Sequence, residues 1–429
     1  MKNRERIFSG TGHHRCVWPL IATICFPWGL TSVFVDMMIP RMKSLFDLSY
    51  TSALFIRLSF FLAYLFIPIP AGQMIQDSDY KRAIIFGLSG TAMGIFILVP
   101  AVNVGSYELF LVGIFCAASG IAMLQVAINP MIVVLGDAKT ATWRLTLAQA
   151  FNSLGTTIGP IIASVTLLSI DTLSTSQLTS LEPVDQARYV AETTRAIVIF
   201  ALSLSAILAL LSLLVRLLPE PLPTSLKPTA FAQLHEPLNS YRQLVRQRQV
   251  HRGMAAVFLY VGAEVTIGSL LINFLRQGSV LGLTASDASY FVVVYWGLAM
   301  FGRFVGAVIL QRVPADQVLK ASAAMTTTLV IAALATKGAV SAALLVAVGF
   351  FNSVQFQLIF SLTLRNMQAP APRVSALLCM SIFGGAVIPM IAAIMADHVS
   401  LKSAFAVYLI RCGYCVYFAV TCRKSVLPN

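Results

Sequence analysis

Apolar residues along this chain gather into twelve blocks, each about as long as a bilayer is thick, and polar residues fall mostly in the joints between them. A helix that crosses lipid satisfies its backbone internally and needs roughly 20 mostly apolar residues to do so. The pattern predicts such helices over 17–41, 51–76, 82–101, 107–135, 143–170 and 191–218. It predicts six more over 252–276, 286–311, 315–337, 340–367, 372–397 and 402–422. The fold class is therefore an all-α membrane protein of twelve transmembrane helices. The joints are short, so no soluble catalytic domain is expected.

Composition agrees, with 58% hydrophobic and only 11% charged residues and a mean hydropathy of +0.82. Soluble domains carry about a quarter charged residues. A formal net charge of +13 could fit a nucleic-acid partner, but Lys and Arg concentrate in the two tails and the even-numbered joints. That is the positive-inside pattern. The charge is topological, so the reading is no nucleic acid, both termini cytoplasmic, and contact with the anionic heads of the lipid bilayer. The polar start from Met1 to Arg15 runs into a hydrophobic block too long for a cleavable signal core. Cys25, Cys116, Cys379, Cys412, Cys415 and Cys422 lie in or at the edges of spans, and Cys16 precedes the first. Cys412-x-x-Cys415 has neither a second pair nor a nearby histidine to complete a zinc set. No metal, cofactor or obligatory protein partner is expected. With no nucleophile and base pair or phosphate loop in view, the chain does not read as an enzyme.

The longest polar joint divides the chain into a tail (1–16), a six-helix bundle (17–218), a linker (219–251), a second six-helix bundle (252–422) and a tail (423–429). Pro219, Pro221, Pro223, Pro228 and Pro237 prevent a continuous helix early in the linker. Beyond them, Tyr241 to Val250 reads as a short basic amphipathic helix on the inner leaflet. The halves repeat weakly. Gly155-Thr-Thr-Ile-Gly-Pro160 in the fifth span matches Gly384-Gly-Ala-Val-Ile-Pro389 in the eleventh, and Asp36 and Glu264 occupy the first and seventh. Parallel six-span halves are a known transporter plan that holds substrate near the midplane. Small residues at these points, and at Gly90-x-x-x-Gly94 and Gly302-x-x-x-Gly306, let helices approach closely.

A charge at the centre of a span costs at least about 2.5 to 3.5 kcal/mol, so such residues face a cavity or a partner. Asp36, Glu264 and Arg303 stand out on this ground. A carboxyl lining a cavity that alternates between wet and dry can take up a proton on one side and release it on the other. Asp36 could instead snorkel to the outer surface or pair with Arg57, and Glu264 could be a fixed partner of Arg303. Neutral amides form a second group. Gln125 and Asn129 share a face of span four, Gln149 and Ser153 share a face of span five, and Asn152 is adjacent. Amides both donate and accept, which suits the paired hydroxyls of a sugar. Asn273, Asn352, Gln355 and Gln357 extend the set. Trp28 and Trp296 could offer flat faces to a sugar ring or anchor at the interface.

The stretches Ile67-Pro-Ile-Pro-Ala-Gly72, Leu124-Gln-Val-Ala-Ile-Asn-Pro130 with Val134-Leu-Gly136, and Arg144-Leu-Thr-Leu-Ala-Gln-Ala-Phe-Asn-Ser-Leu-Gly155 resemble the fucose permease and glucose/galactose transporter branch of the major facilitator superfamily. Tyr260-Val-Gly-Ala-Glu264, Tyr295-Trp-Gly297, Gly302-Arg-Phe304, Phe351-Asn-Ser353 and Gly384-Gly-Ala-Val-Ile-Pro389 continue the match through the second half. The resemblance implies two pseudo-symmetric six-helix bundles and proton-coupled uptake of a monosaccharide across a bacterial inner membrane, by alternating access. It places Asp36 and Glu264 at proton-coupling positions, and Gln125 where the fucose permease has a second membrane acid. Substrate-binding positions are then Gln125, Asn129, Gln149, Asn152, Asn273, Trp296 and Asn352, with Arg57 and Arg303 as structural or gating charges. The chain departs from the branch at Val35, Arg57, Gln76 and Gln357-Leu358. These departures leave open a same-fold carrier of another solute, an exporter or proton antiporter included.

Overall fold

The computed structural model describes residues 13–46, 48, 50–135, 137, 138–166, 180–218, 237–365, 367 and 369–424. Helices account for nearly all of them. Span one is His13–Leu45, span two Tyr50–Phe66 with Pro68–Asp77, and span three Tyr80–Val104. Spans four, five and six are Tyr107–Val134, Ala141–Thr166 and Pro183–Leu217. In the second half, span seven is Arg248–Arg276, span eight Ala285–Ile309 and span nine Ala315–Ala335. Span ten is Gly338–Asn352 with Gln355–Leu364, span eleven Ala371–Met380 with Gly384–His398, and span twelve Leu401–Ala404 with Ala406–Lys424. Among the described residues nine helices are long and apolar enough to cross a membrane, and Leu20–Val35 and Tyr408–Thr421 add shorter apolar stretches.

Local chemistry sets the ends and breaks of these helices. Asp79 caps span three by accepting the Arg82 amide at 2.6 Å, and Gly105, with φ of 73°, closes that helix in the left-handed region. Pro68 restarts span two after Phe66, since proline cannot donate within a helix yet fits its first turn. Span six starts at Pro183, earlier than the hydropathy pattern predicts, because Pro183 and Asp185 favour a first turn in the polar segment ahead of the apolar block. The basic helix is also displaced. It runs Pro237–Arg246 and buries Ser240, Tyr241 and Leu244, with Arg242, Arg246 and Arg248 exposed.

The chain forms two compact units, one of 1–128 with 154–225 and the other of 129–153 with 226–429. Each carries the same kind of close helix contact. In the first, a Cβ added at Gly155 would lie 2.1 Å from the carbonyl oxygen of Phe26, so span five rests directly on the backbone of span one. In the second, a Cβ at Gly384 would lie 2.2 Å from the carbonyl of Phe258, which seats span eleven on span seven in the same way. Glycine permits these crossings because any side chain would separate the backbones. The repeated motif thus marks a repeated packing contact.

Candidate functional site

The second unit gathers most of the polar residues singled out by the sequence. Its segment 129–153 holds the end of span four, the short joint after it and the first half of span five, and the joint is fixed by Arg144, which is 5% exposed. Arg144 donates to the carbonyls of Ile132 and Val133, both at 3.3 Å, to that of Asp137 at 3.0 Å, and to the Thr140 hydroxyl. Five guanidinium donors suit a helix end, where carbonyls lack intrahelical partners. With the joint held, Gln149 Nε2 donates to Asn129 Oδ1 at 3.0 Å, and both side chains are buried. Asn129 Nδ2 makes no hydrogen bond.

Packed on this segment is a charged cluster from spans seven, eight, ten and twelve. Glu264 Oε1 lies 4.0 Å from an Arg303 nitrogen, with both side chains mostly buried. Arg303 also donates from Nε to the Ser353 carbonyl at 3.1 Å and from Nη1 to the Ser153 hydroxyl. One guanidinium therefore joins the span-seven acid, the interruption in span ten and span five. Two further contacts support the junction. The Thr142 and Ser361 hydroxyls share a hydrogen bond of 2.9 Å, and the rings of Phe151 and Phe304 meet edge to face at 6.2 Å. The Tyr260 hydroxyl is 2.8 Å from Glu264 Oε1 and 3.1 Å from the Asn352 carbonyl, either of which can accept its hydrogen bond.

Arg411, in span twelve, completes the cluster and is wholly buried. Its Nη2 donates to Gln355 Oε1 at 2.8 Å and to Asn352 Oδ1. Its guanidinium carbon sits 4.9 Å from the Tyr260 ring centroid and 4.8 Å from that of Tyr408, within the range of cation–π attraction. Arg411 is not among the residues expected from the sequence, although a cation near the middle of an apolar block is the same signal that singled out Arg303. Gln357, with its NH2 turned toward the interruption of span ten, reaches the carbonyls of Ser353 and Val354, each at 3.0 Å. Gln357 thus adds a second donor to carbonyls that the Leu358 amide and Arg303 also reach.

The other expected positions are more scattered. Gln125 is half-buried on span four in the first unit, and its Oε1 has no hydrogen-bond partner. Asn152 is half-buried on span five. Asn273 is exposed in the last turns of span seven. Trp296 packs against a hydrophobic core of spans seven to twelve and meets Tyr295 edge to face at 5.2 Å, while Trp28 is buried in span one. Arg57 is half-buried on span two, and the Asp36 side chain lies outside the described residues. Among the described residues no group of His, Cys, Asp or Glu is arranged to hold a metal ion. An open cavity of about 780 Å³ between the end of span three and the start of span six is lined by Asn103, Gln186 and Arg195 and by none of the candidate residues.

A broken-helix architecture with buried ions and amides, and with the same crossing in each half, defines a polytopic membrane transporter. The chain belongs to the major facilitator superfamily, whose profile matches residues 19–378. It is 35% identical over 405 residues to the glucose/galactose transporter of Brucella abortus (strain 2308), covering 94% of this chain and 93% of that protein. It is 29% identical to the L-fucose-proton symporter of Escherichia coli (strain K12), covering 88% and 86% respectively. Its fold matches the crystal structure of FucP in the outward conformation with a TM-score of 0.85 at 27% identity, covering 94% of this chain and 98% of that one.

Proposed function

We propose that this protein imports a monosaccharide of the glucose, galactose or fucose type together with protons, by alternating access of two six-helix bundles, 17–218 and 252–422. Its likeness along nearly its whole length to glucose/galactose transporters carries this reading. Asp36 and Glu264 take and release the coupling proton. Gln125, Asn129, Gln149, Asn152 and Asn352 offer amides to sugar hydroxyls, with Asn273 and Trp296 more peripheral. Arg303 links the loading of Glu264 to span five through Ser153, because a neutral Glu264 no longer attracts the guanidinium. Arg57 serves as a structural or gating charge. The setting is a bacterial inner membrane with both termini cytoplasmic, as the distribution of basic residues favours.

The experiment is uptake of radiolabelled D-glucose, D-galactose and L-fucose into proteoliposomes with and without an imposed inward proton gradient. Accumulation of at least one sugar above its outside concentration, abolished by a protonophore, is expected. Sugar movement that is indifferent to the gradient, or driven outward by it, contradicts symport import.

A further inference from the structure

The linker helix Pro237–Arg246 has two unlike faces. Successive residues turn by about 100° around a helix axis, so Ser240, Tyr241 and Leu244 share one side, with Arg242 and Arg246 on the other. The first three are buried where the helix packs on the starts of spans seven and eleven, while Arg242, Arg246 and the following Arg248 are exposed. The buried face is held by Arg373, in the first turn of span eleven. Arg373 Nη1 donates to the Ser240 hydroxyl, and its guanidinium carbon lies 6.0 Å from the Tyr241 ring centroid. Just past the linker helix, Gln249 Nε2 lies 3.0, 2.9 and 3.0 Å from the carbonyls of Leu362, Thr363 and Arg365, capping the end of span ten.

These ties fix the depth of the helix. Arg373 immediately precedes the apolar run that opens with Val374, and Arg252 precedes the one that opens with Gly253, so each marks the edge of the hydrocarbon. Arg248 stands four residues before Arg252, about 6 Å along a helix, and the headgroup layer is roughly 5 to 7 Å thick on each side. The linker helix is therefore level with the headgroups, beside spans seven and eleven, and its exposed arginines point away from those spans into that layer. The charge there is of one sign. No acid occurs from Pro237 to Arg252, Arg365 is exposed next to Gln249, and among the described residues no carboxylate lies within ion-pair distance of Arg242, Arg246 or Arg248. A guanidinium matches a phosphate with two parallel hydrogen bonds, and a basic cluster beside a span draws anionic lipid.

We propose that this face is a docking surface for anionic phospholipid, whose phosphates engage Arg242, Arg246 and Arg248 and so hold the linker helix on span eleven. A helix that lifts from the bundle takes Ser240 and Tyr241 from Arg373 together, which makes the bound lipid a clamp on the starts of spans seven and eleven. The inference goes beyond the sugar reading, and its test involves no sugar.

The test uses full-length protein in detergent, titrated with phosphatidylglycerol or phosphatidylcholine and followed by native mass spectrometry. The parent should bind phosphatidylglycerol at least about tenfold more tightly than phosphatidylcholine. The triple variant Arg242→Gln, Arg246→Gln, Arg248→Gln should lose at least about fivefold in phosphatidylglycerol affinity, and the matching triple change to Lys, which keeps the charge, should stay within about threefold. Arg216→Gln with Arg312→Gln, which removes two exposed arginines near the ends of spans six and eight, should stay within about twofold of the parent. Hydrogen exchange then reads the clamp: phosphatidylglycerol should slow the amides of 237–246 and of the first turn of span eleven in the parent and leave them unchanged in the glutamine variant. Parental lipid affinity in the glutamine variant, an equal loss in the Arg216 and Arg312 pair, or no slowing of exchange in the parent overturns the proposal. Soluble polyglutamate bound as tightly as phosphatidylglycerol also overturns it, in favour of an acidic protein partner.

Discussion

Asn129 and Gln149 meet through a single bond between neutral amides, whereas the neighbouring helices bring one carboxylate and two guanidiniums together around Tyr260. The two regions belong to one compact unit, yet they suit different cargo. Neutral amides can exchange hydrogen bonds with a polyol at little electrostatic cost. Buried charges are costly unless paired, so a change in the charge of one member alters what its partners must do. In the function proposed above, the amides recognise the neutral solute and the ions couple its movement to protons.

The largest effect is expected where the charged region is broken. Arg303→Leu leaves Glu264 buried with the Tyr260 hydroxyl alone and should destabilise the protein by about 3 to 5 kcal/mol, seen as a large fall in the thermal unfolding temperature in detergent. A smaller loss, of about 3 kcal/mol, is expected from either Gly155→Val or Gly384→Val, because each forces apart two backbones in contact. Equal losses would confirm that the halves repeat their packing even though their polar contents differ. The amide region should respond least. Gln149→Leu strands the Asn129 oxygen and should cost about 1 to 3 kcal/mol. A Gln149→Leu variant less stable than Arg303→Leu would reverse the ranking of the two regions.

Much of this arrangement was legible in the sequence. Hydropathy located the spans because lipid imposes the same demand on every backbone that crosses it. The cost of an intramembrane charge pointed to Glu264 and Arg303, and the structure brings them to 4.0 Å. Helical spacing put Gln149 and Ser153 on one face, and both engage partners in the same unit. What the sequence could not supply was the set of meetings between distant spans. The bond from Ser153 to Arg303 and the bonds from Arg411 to Asn352 and Gln355 depend on where the interruption of span ten falls. That interruption, at Ser353 and Val354, carries neither proline nor glycine to announce it. Asn273 shows the converse, since an amide type alone gave no indication that it lies exposed.

The division of labour between amides and ions is tested most directly by comparing Gln149→Ala and Glu264→Gln in one proteoliposome preparation, with sugar exchange between equal pools and gradient-driven accumulation measured side by side. Glu264→Gln should exchange sugar but fail to accumulate it, because a neutral amide cannot cycle a proton. Gln149→Ala should need about tenfold more sugar for half-saturation, equivalent to roughly 1.4 kcal/mol, yet reach the parental accumulation ratio once saturated. Parental accumulation by Glu264→Gln, or a collapsed ratio in saturated Gln149→Ala, would contradict the assignment.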